Sequence, residues 1–250
     1  MNTRHLFRSL PALAAGLFAA SFALADEAAI RKNLPQRVPN LPPIDEVTKT
    51  AIPGVYEVRI GGTEILYADE QGDHVFQGNL IDTRSRSNLT EARINKLTAI
   101  DFDKLPLKDA IPWKTGTGAR KLAVFADPNC GYCKRLEADL QKLKNVTVYT
   151  FLIPVLGADS AEKSKNIWCS KDATKAWLGW MLEGKQPVKS MGNCETPLER
   201  NLALSQKHRI NGTPALIFSD DTRVPGAIGL EEIEKRLSEA AVAGSGAPKS

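Results

Sequence analysis

Cys130-Gly131-Tyr132-Cys133 is the stretch of this 250-residue chain where residue type and spacing together prescribe a reaction. It follows an apolar strand pattern, Lys121–Ala126, and opens a helical pattern, Cys130–Lys144. A helix start carries free N–H groups and the positive end of the helix dipole, and both favour a thiolate over a thiol at Cys130. Only the thiolate attacks a disulfide, so Cys130 is the expected nucleophile. Cys133 lies one turn further in and is expected to be more buried. From there it can attack the Cys130 sulfur and resolve a mixed disulfide. Gly131 is expected to relieve crowding as that ring closes, and Tyr132 to offer an aromatic face to a substrate.

A C-x-x-C can also be half of a zinc site, but zinc takes four ligands, commonly from two such knuckles. Cys169 and Cys194 stand 25 positions apart and form no second knuckle, while His74 and His208 stand alone. No metal site and no cofactor are expected. Four cysteines allow three pairings, and a local 130–133 pair leaves Cys169 to join Cys194. These two flank a helical segment containing Trp177, Trp180 and Met181, read as a small apolar core, with Trp168 just before it. Closing a loop of about 26 residues is worth roughly 3–4 kcal/mol of chain entropy, so the bridge is read as structural. The competing reading is a second redox couple, although neither cysteine has the strand–CxxC–helix setting that activates a thiol.

Residues 1–25 read as a signal peptide that takes these cysteines to a compartment where disulfides persist. Arg4, His5 and Arg8 precede the apolar run Leu10–Phe22, and Ala23-Leu24-Ala25 supplies the small residues of a cleavage site after Ala25. The alternative, an uncleaved anchor, is opposed by the shortness of the apolar run. Elsewhere the composition, 42% hydrophobic and 25% charged, suits a soluble globular chain and excludes disordered, collagen-like and multispanning classes. Lys and Arg number 33 against 29 Asp and Glu; losing Arg4 and Arg8 leaves 31 against 29. So balanced a surface excludes nucleic acid and anionic lipid as main partners.

The elements that position the cysteines fall into two predicted domains. Residues 26–53 read as a short helix around Glu27–Leu34 followed by extended connecting chain, because Pro35, Pro39, Pro42, Pro43 and Pro53 each remove a donor. Val55–Ile60, Thr63–Ala68 and His74–Gln77 read as strands of an antiparallel meander with a Gly61-Gly62 turn. So small a sheet has a thin core and open edges, which predicts a twofold dimer through residues 26–87. Asn88, with Glu91 three residues on, marks the start of a helix over 88–104 linking the domains; the alternative is the first helix of the larger domain. Residues 105–250 alternate strand and helix: Lys121–Ala126, Cys130–Lys144 and Val146–Leu152 form a βαβ unit. A helical stretch, a hairpin of Ala215–Ser219 with Thr222–Pro225, a helix Leu230–Val242 and a loose tail from Ala243 follow. Gly212-Thr213-Pro214 stands directly before the hairpin, where a proline is tolerated at a strand's first position. Gly116-Thr117-Gly118 lacks the spacing of a phosphate loop, and the sequons at Asn88, Asn145 and Asn211 are short enough to arise by chance.

The C-x-x-C at a strand–helix junction, with Thr213-Pro214 opening a later strand, resembles the thioredoxin superfamily. CGYC, IWCSKDATKAW around Cys169, GTPALIFSDDTRVPG and PGVYEVRIGGTEILYADEQGDHVFQGNLID resemble, more closely, its periplasmic disulfide isomerases, the DsbC/DsbG family. The similarity covers nearly the whole chain after residue 25 and departs from the family's pattern at Asn33–Pro43. It implies an α/β thioredoxin-like catalytic domain with a helical insertion (105–250), joined by a linker helix to a small α+β, cystatin-like dimerisation domain (26–87). By the same resemblance Cys130 is nucleophile, Cys133 resolves, Pro214 is a cis-proline facing them, and Thr213 tunes redox behaviour and substrate docking. Cys169–Cys194 would match the family's structural disulfide. The implied assembly is a V-shaped homodimer with an apolar cleft for misfolded, disulfide-containing exported proteins. Its implied electron donor is a DsbD-type membrane protein, and chaperone activity is implied as secondary. Where thioredoxins bury an acid six residues before the first cysteine, this chain has Val124. The alternatives are a DsbG-like reductase of oxidised single cysteines, a monomeric oxidase of the DsbA kind, and, from another class, a periplasmic holdase.

Overall fold

The computed structural model describes residues 15–246, with side chains from 26 to 242. The segment 1–25, expected to be a signal peptide, therefore lies outside the described side chains. The chain forms two compact units that divide between Leu97 and Thr98.

In the first unit, helix α1 (Ala15–Arg37) precedes a four-stranded antiparallel sheet. Its strands are β1 (Ile44–Lys49), β2 (Val55–Ile60), β3 (Glu64–Asp69) and β4 (Val75–Phe76), adjacent in chain order. Strand β2 shows why the meander forms: Tyr56, Val58 and Ile60 alternate into the core with Leu66 and Ala68 of β3, a period of two. Gly61 and Gly62 both take positive φ in the intervening turn, as their lack of Cβ allows.

The reading of 26–53 as mostly connecting chain is corrected. Helix α1 runs on through Pro35 to Arg37, because Ile30 and Leu34, one turn apart, bury completely against the sheet. Residues 44–49 pair with β2, and Val47 is buried with them. The prolines punctuate this segment; Pro42 and Pro43 stop just short of β1.

A short hairpin of two-residue strands, β5 (Ile81–Asp82) and β6 (Ser87–Asn88), leads into helix α2 (Leu89–Thr98). Asn88 caps it, its Oδ1 accepting the Glu91 N–H at 3.0 Å. Arg93 donates to Glu57 at 2.9 Å and Glu46 at 2.7 Å, tying α2 to β2 and β1. The helix ends at Thr98, short of the predicted Lys104. The Ile100 and Phe102 amides donate instead to the carbonyl and carboxylate of Asp221, and Phe102–Lys104 form a single 3-10 turn.

The second unit contains β7 (Ile111–Lys114), β8 (Arg120–Ala126), α3 (Gly131–Leu140), β9 (Val146–Leu152), α4 (Ala158–Trp168), α5 (Ala173–Glu183), α6 (Leu198–Lys207), β10 (Ala215–Phe218), β11 (Arg223–Pro225) and α7 (Leu230–Gly246). The sheet order is β11-β10-β8-β9-β7, with β8 and β9 parallel and the other pairs antiparallel. Central β8 is apolar and buried from Leu122 to Ala126, because both of its faces are covered there. Leu122, Val124 and Ala126 meet α3, α5 and α7, whereas Ala123 and Phe125 meet Phe102, Phe151 and Ile210. Trp177, Trp180 and Met181 are apolar core, as expected, but the core they belong to is this first large one rather than a small one. Edge strand β7 carries no sequence signal of its own length, and its Pro112 sits where a missing donor is tolerated. Helix α7 continues past Val242 to Gly246, beyond its predicted end.

Candidate thiol–disulfide site

Because β8 and β9 are parallel, the loops that leave them, 127–130 and 153–157, emerge at the same end of the sheet. Carboxyl ends of adjacent parallel strands are where open α/β sheets place their chemistry. Cys130 caps α3, which begins at Gly131. Its Sγ accepts the Cys133 N–H at 3.2 Å and donates to the Thr213 carbonyl at 3.3 Å. Pro214 follows Thr213 through a cis peptide and leads directly into β10. The sequence motifs at 130–133 and 212–214, some eighty positions apart, thus meet at one sulfur.

Both cysteines are free thiols, 6% and 2% exposed, Cys133 the deeper. Burial pushes the Cys133 thiol above its ordinary range, and its contact with Cys130 adds to this; the Asp127 amide and the Thr213 hydroxyl act in the other direction. A buried neutral thiol one helical turn behind Cys130 suits the resolving role expected of it, that of displacing a bound sulfur. Tyr132 is exposed, and the Arg135 guanidinium lies 4.3 Å above its ring. At Gly131 the structure differs from the expectation of crowding. A Cβ added there meets nothing within 4 Å, so steric relief is not what this position requires.

Cys169 and Cys194 are bonded to each other, with Cα atoms 6.0 Å apart. The bridge ties the end of α4 to the segment before α6, where Trp168 also donates to the Glu195 carbonyl at 3.2 Å. It uses two of the four sulfurs that a zinc site would have needed.

Two acids at the site escaped the sequence reading. Asp127, fully buried, accepts hydrogen bonds from the Asn129 amide at 2.7 Å, the Ser160 hydroxyl at 2.7 Å and the Leu156 amide at 2.9 Å. Glu137 is 3% exposed and accepts from Trp177 Nε1 and Gln141 Nε2, each at 3.0 Å. Burial raises its carboxyl to about 7 against those bonds. Helical spacing carries a signal for Glu137, which stands four residues after Cys133 on the face that buries Leu136 and Leu140. Trp180 braces the loop from below: its Nε1 donates to the Pro128 carbonyl at 2.6 Å, and Lys134 and Lys163 lie 4.1 and 4.9 Å from the indole ring.

A five-stranded sheet of this order, with C-x-x-C at the end of β8 facing a cis-proline at the start of β10, defines a thioredoxin-fold domain. Residues 107–241 match the family model of thioredoxin-like domains, and residues 21–91 that of the disulfide bond isomerase protein N-terminal domain. The chain is 31% identical over 223 residues to the thiol:disulfide interchange protein DsbC of Escherichia coli K12, covering 87% of this chain and 90% of that protein. It is 45% identical over 184 residues to the probable thiol:disulfide interchange protein DsbC of Bordetella parapertussis. That match takes in 74% of this chain and 65% of the relative, so the chain spans just under two thirds of the Bordetella protein. Among solved structures, the disulfide interchange protein from Neisseria gonorrhoeae superposes with a TM-score of 0.52 at 37% identity, over 55% of this chain and 99% of that one. The chain belongs to the DsbC family of thiol:disulfide interchange proteins.

Proposed function

We propose that this protein is a periplasmic thiol:disulfide isomerase, exported by cleavage after Ala25, that rearranges non-native disulfides in misfolded exported proteins. The observation that carries the reading is the free Cys130–Cys133 pair, with the Cys130 sulfur 3.3 Å from the carbonyl of the residue preceding Pro214. In the proposed cycle the Cys130 thiolate attacks one sulfur of a substrate disulfide. The substrate S–S bond breaks, a mixed disulfide to Cys130 forms, and the other substrate sulfur leaves as a thiolate. That thiolate, or another in the same chain, attacks elsewhere until native pairing returns the electron pair to Cys130. If rearrangement stalls, Cys133 loses its proton and displaces the substrate sulfur, leaving Cys130 and Cys133 oxidised. Two electrons must then be returned, for which a DsbD-type membrane donor is proposed.

Residues 26–87 are proposed to pair with a second copy, giving a homodimer. Thr213 and Pro214 are assigned to substrate docking beside the nucleophile, Tyr132 to contact with the bound chain, and Cys169–Cys194 to stability alone. The test is refolding of a scrambled disulfide protein. Wild type restores native pairing, Cys130→Ala does not, and a fully active Cys130→Ala refutes the assignment. Trapping the cellular redox state of Cys130 and Cys133 by alkylation distinguishes the role: mostly reduced supports isomerase or reductase work, mostly oxidised an oxidase.

A further inference from the structure

Asp127 joins three pieces of chain that the cycle above leaves unconnected. Its backbone carbonyl accepts the Cys130 amide at 3.1 Å, so it stands directly beneath the nucleophile. One carboxylate oxygen holds the Asn129 amide and the Ser160 hydroxyl, fixing the redox turn to the first turn of α4. Asn129 reinforces that link by donating to Asp159 at 2.6 Å and Ser160 at 3.0 Å. The other oxygen accepts the amide of Leu156, in the loop that leaves β9. A carboxylate with no exposed surface is costly unless its lone pairs are met, and here amide and hydroxyl donors meet them.

The loop it holds has an unusual surface. Val155 and Leu156 are consecutive and 49% and 54% exposed, although they closely follow the buried Leu152, which ends β9, and Ile153. The loop is not slack. Ile153 donates to the Ala126 carbonyl and Val155 to the Ile153 carbonyl, each at 2.9 Å, and Gly157 at a φ of 102° turns the chain into α4. Two apolar side chains are thus held at the surface, one hydrogen-bonded step from the redox turn.

We infer that Val155 and Leu156 form a docking ledge for the apolar residue that flanks a substrate's cysteine, and that Asp127 is the positioning residue that keeps this ledge in register with Cys130. The inference rests on the disulfide-exchange reading and deepens it by naming a specificity element. The occupant follows from continuity with the nucleophile. Once a substrate sulfur is bonded to Cys130, its neighbouring residues must lie against the surface around the redox turn. Cysteine and the large apolar residues are among the side chains most often buried, so a non-native chain exposes cysteines together with apolar neighbours that the native fold hides. A partly buried leucine on the ledge is expected to gain about tenfold in rate over a serine, about half of full leucine burial.

The experiment uses the reduced full chain and short peptides whose single cysteine carries thionitrobenzoate in mixed disulfide, with leucine or serine beside the cysteine. Attack by Cys130 on the peptide sulfur breaks that S–S bond, forms the Cys130–peptide disulfide and releases the coloured thiolate, which stopped-flow absorbance reads. Wild type should prefer the leucine peptide about tenfold. Val155→Ser with Leu156→Ser should bring the preference near unity. Asp127→Asn should do the same by presenting an amide N–H to the Leu156 amide, with the loss in the concentration of leucine peptide that half-saturates the rate rather than in the limiting rate of thiolate release. Because the loop pair is exposed, its double variant answers the question even if Asp127→Asn fails to fold. Val188→Ser with Met191→Ser, an exposed apolar pair elsewhere in the unit, should leave the preference at the wild-type value. An unchanged preference in the Val155/Leu156 variant, or an equal loss in the Val188/Met191 variant, overturns the ledge. Absence of thiolate release from either peptide and from a small aromatic disulfide overturns the disulfide-exchange reading itself.

Discussion

Glu137 makes the second unit sensitive to pH in a direction opposite to the usual carboxylate. Its carboxyl is 3% exposed, lies between α3 and α5, and is raised by burial from 4.5 to about 7. Between those values the folded state holds a proton that the unfolded state releases, so stability falls as pH rises through this window and is flat above it. The interval of about 2.5 pH units, at 1.36 kcal/mol each, sets the cost of ionisation near neutral pH at about 3 kcal/mol. Glu137→Gln removes the charge and keeps the shape. Its carbonyl can accept from Trp177 while its amide donates to Gln141, whose own amide need only turn over. The variant should therefore match or fall slightly below wild type near pH 4 and exceed it by up to about 3 kcal/mol near pH 8. All four tryptophans (113, 168, 177 and 180) lie in this unit, so urea unfolding followed by indole fluorescence reports on it selectively. His208, lowered by burial, works in the opposite direction over a similar range, but it is common to both proteins and cancels in their difference. A gap between wild type and variant that stays constant from about pH 4 to 8 would refute the burial-driven shift.

The cysteines and the assembly give three further expectations. Cys133→Ala should accumulate a substrate mixed disulfide at Cys130, visible on non-reducing gels, whereas Cys130→Ala should trap none; a Cys130→Ala variant that traps as much would reverse the assigned roles. Replacing both Cys169 and Cys194 by alanine should lower stability by roughly 3–4 kcal/mol in chemical denaturation and leave thiol–disulfide exchange intact in the folded protein. Loss of turnover without loss of structure would instead make that pair a second redox couple. Residues 26–250 should sediment as a dimer at micromolar concentration, and a monomer there would remove residues 26–87 from their proposed role.

What could be read from the sequence and what could not divide along the distance over which each feature is determined. Val146–Leu152 and Val55–Ile60 were found to the residue because their periodicity is complete within the segment. The Asn88 cap was found because cap and partner are three residues apart. Strand β1 was not, since Ile44–Lys49 alternates weakly and becomes a strand by pairing with β2; the burial of Ile30 and Leu34 that carries α1 through Pro35 depends on that same sheet. Helix α2 stops at Thr98 because of Asp221, more than a hundred residues away. The site divides in the same way. Cys130, Cys133, Thr213 and Pro214 were legible because their residue types are rare in those settings and each motif is local. Asp127 was not, because an acid three residues before a cysteine reads as solvated turn until Leu156 and Ser160 are seen to close over it. Glu137 lay between these cases. Its position on the buried face of α3 was available from spacing, but only Trp177, forty residues on, shows how a carboxyl can be held there without a cation. The groups proposed to perform exchange are therefore local in sequence, and those that hold them are long-range. Substitutions at Asp127 and Glu137 should accordingly alter selectivity and pH response while leaving the identity of the attacking sulfur untouched.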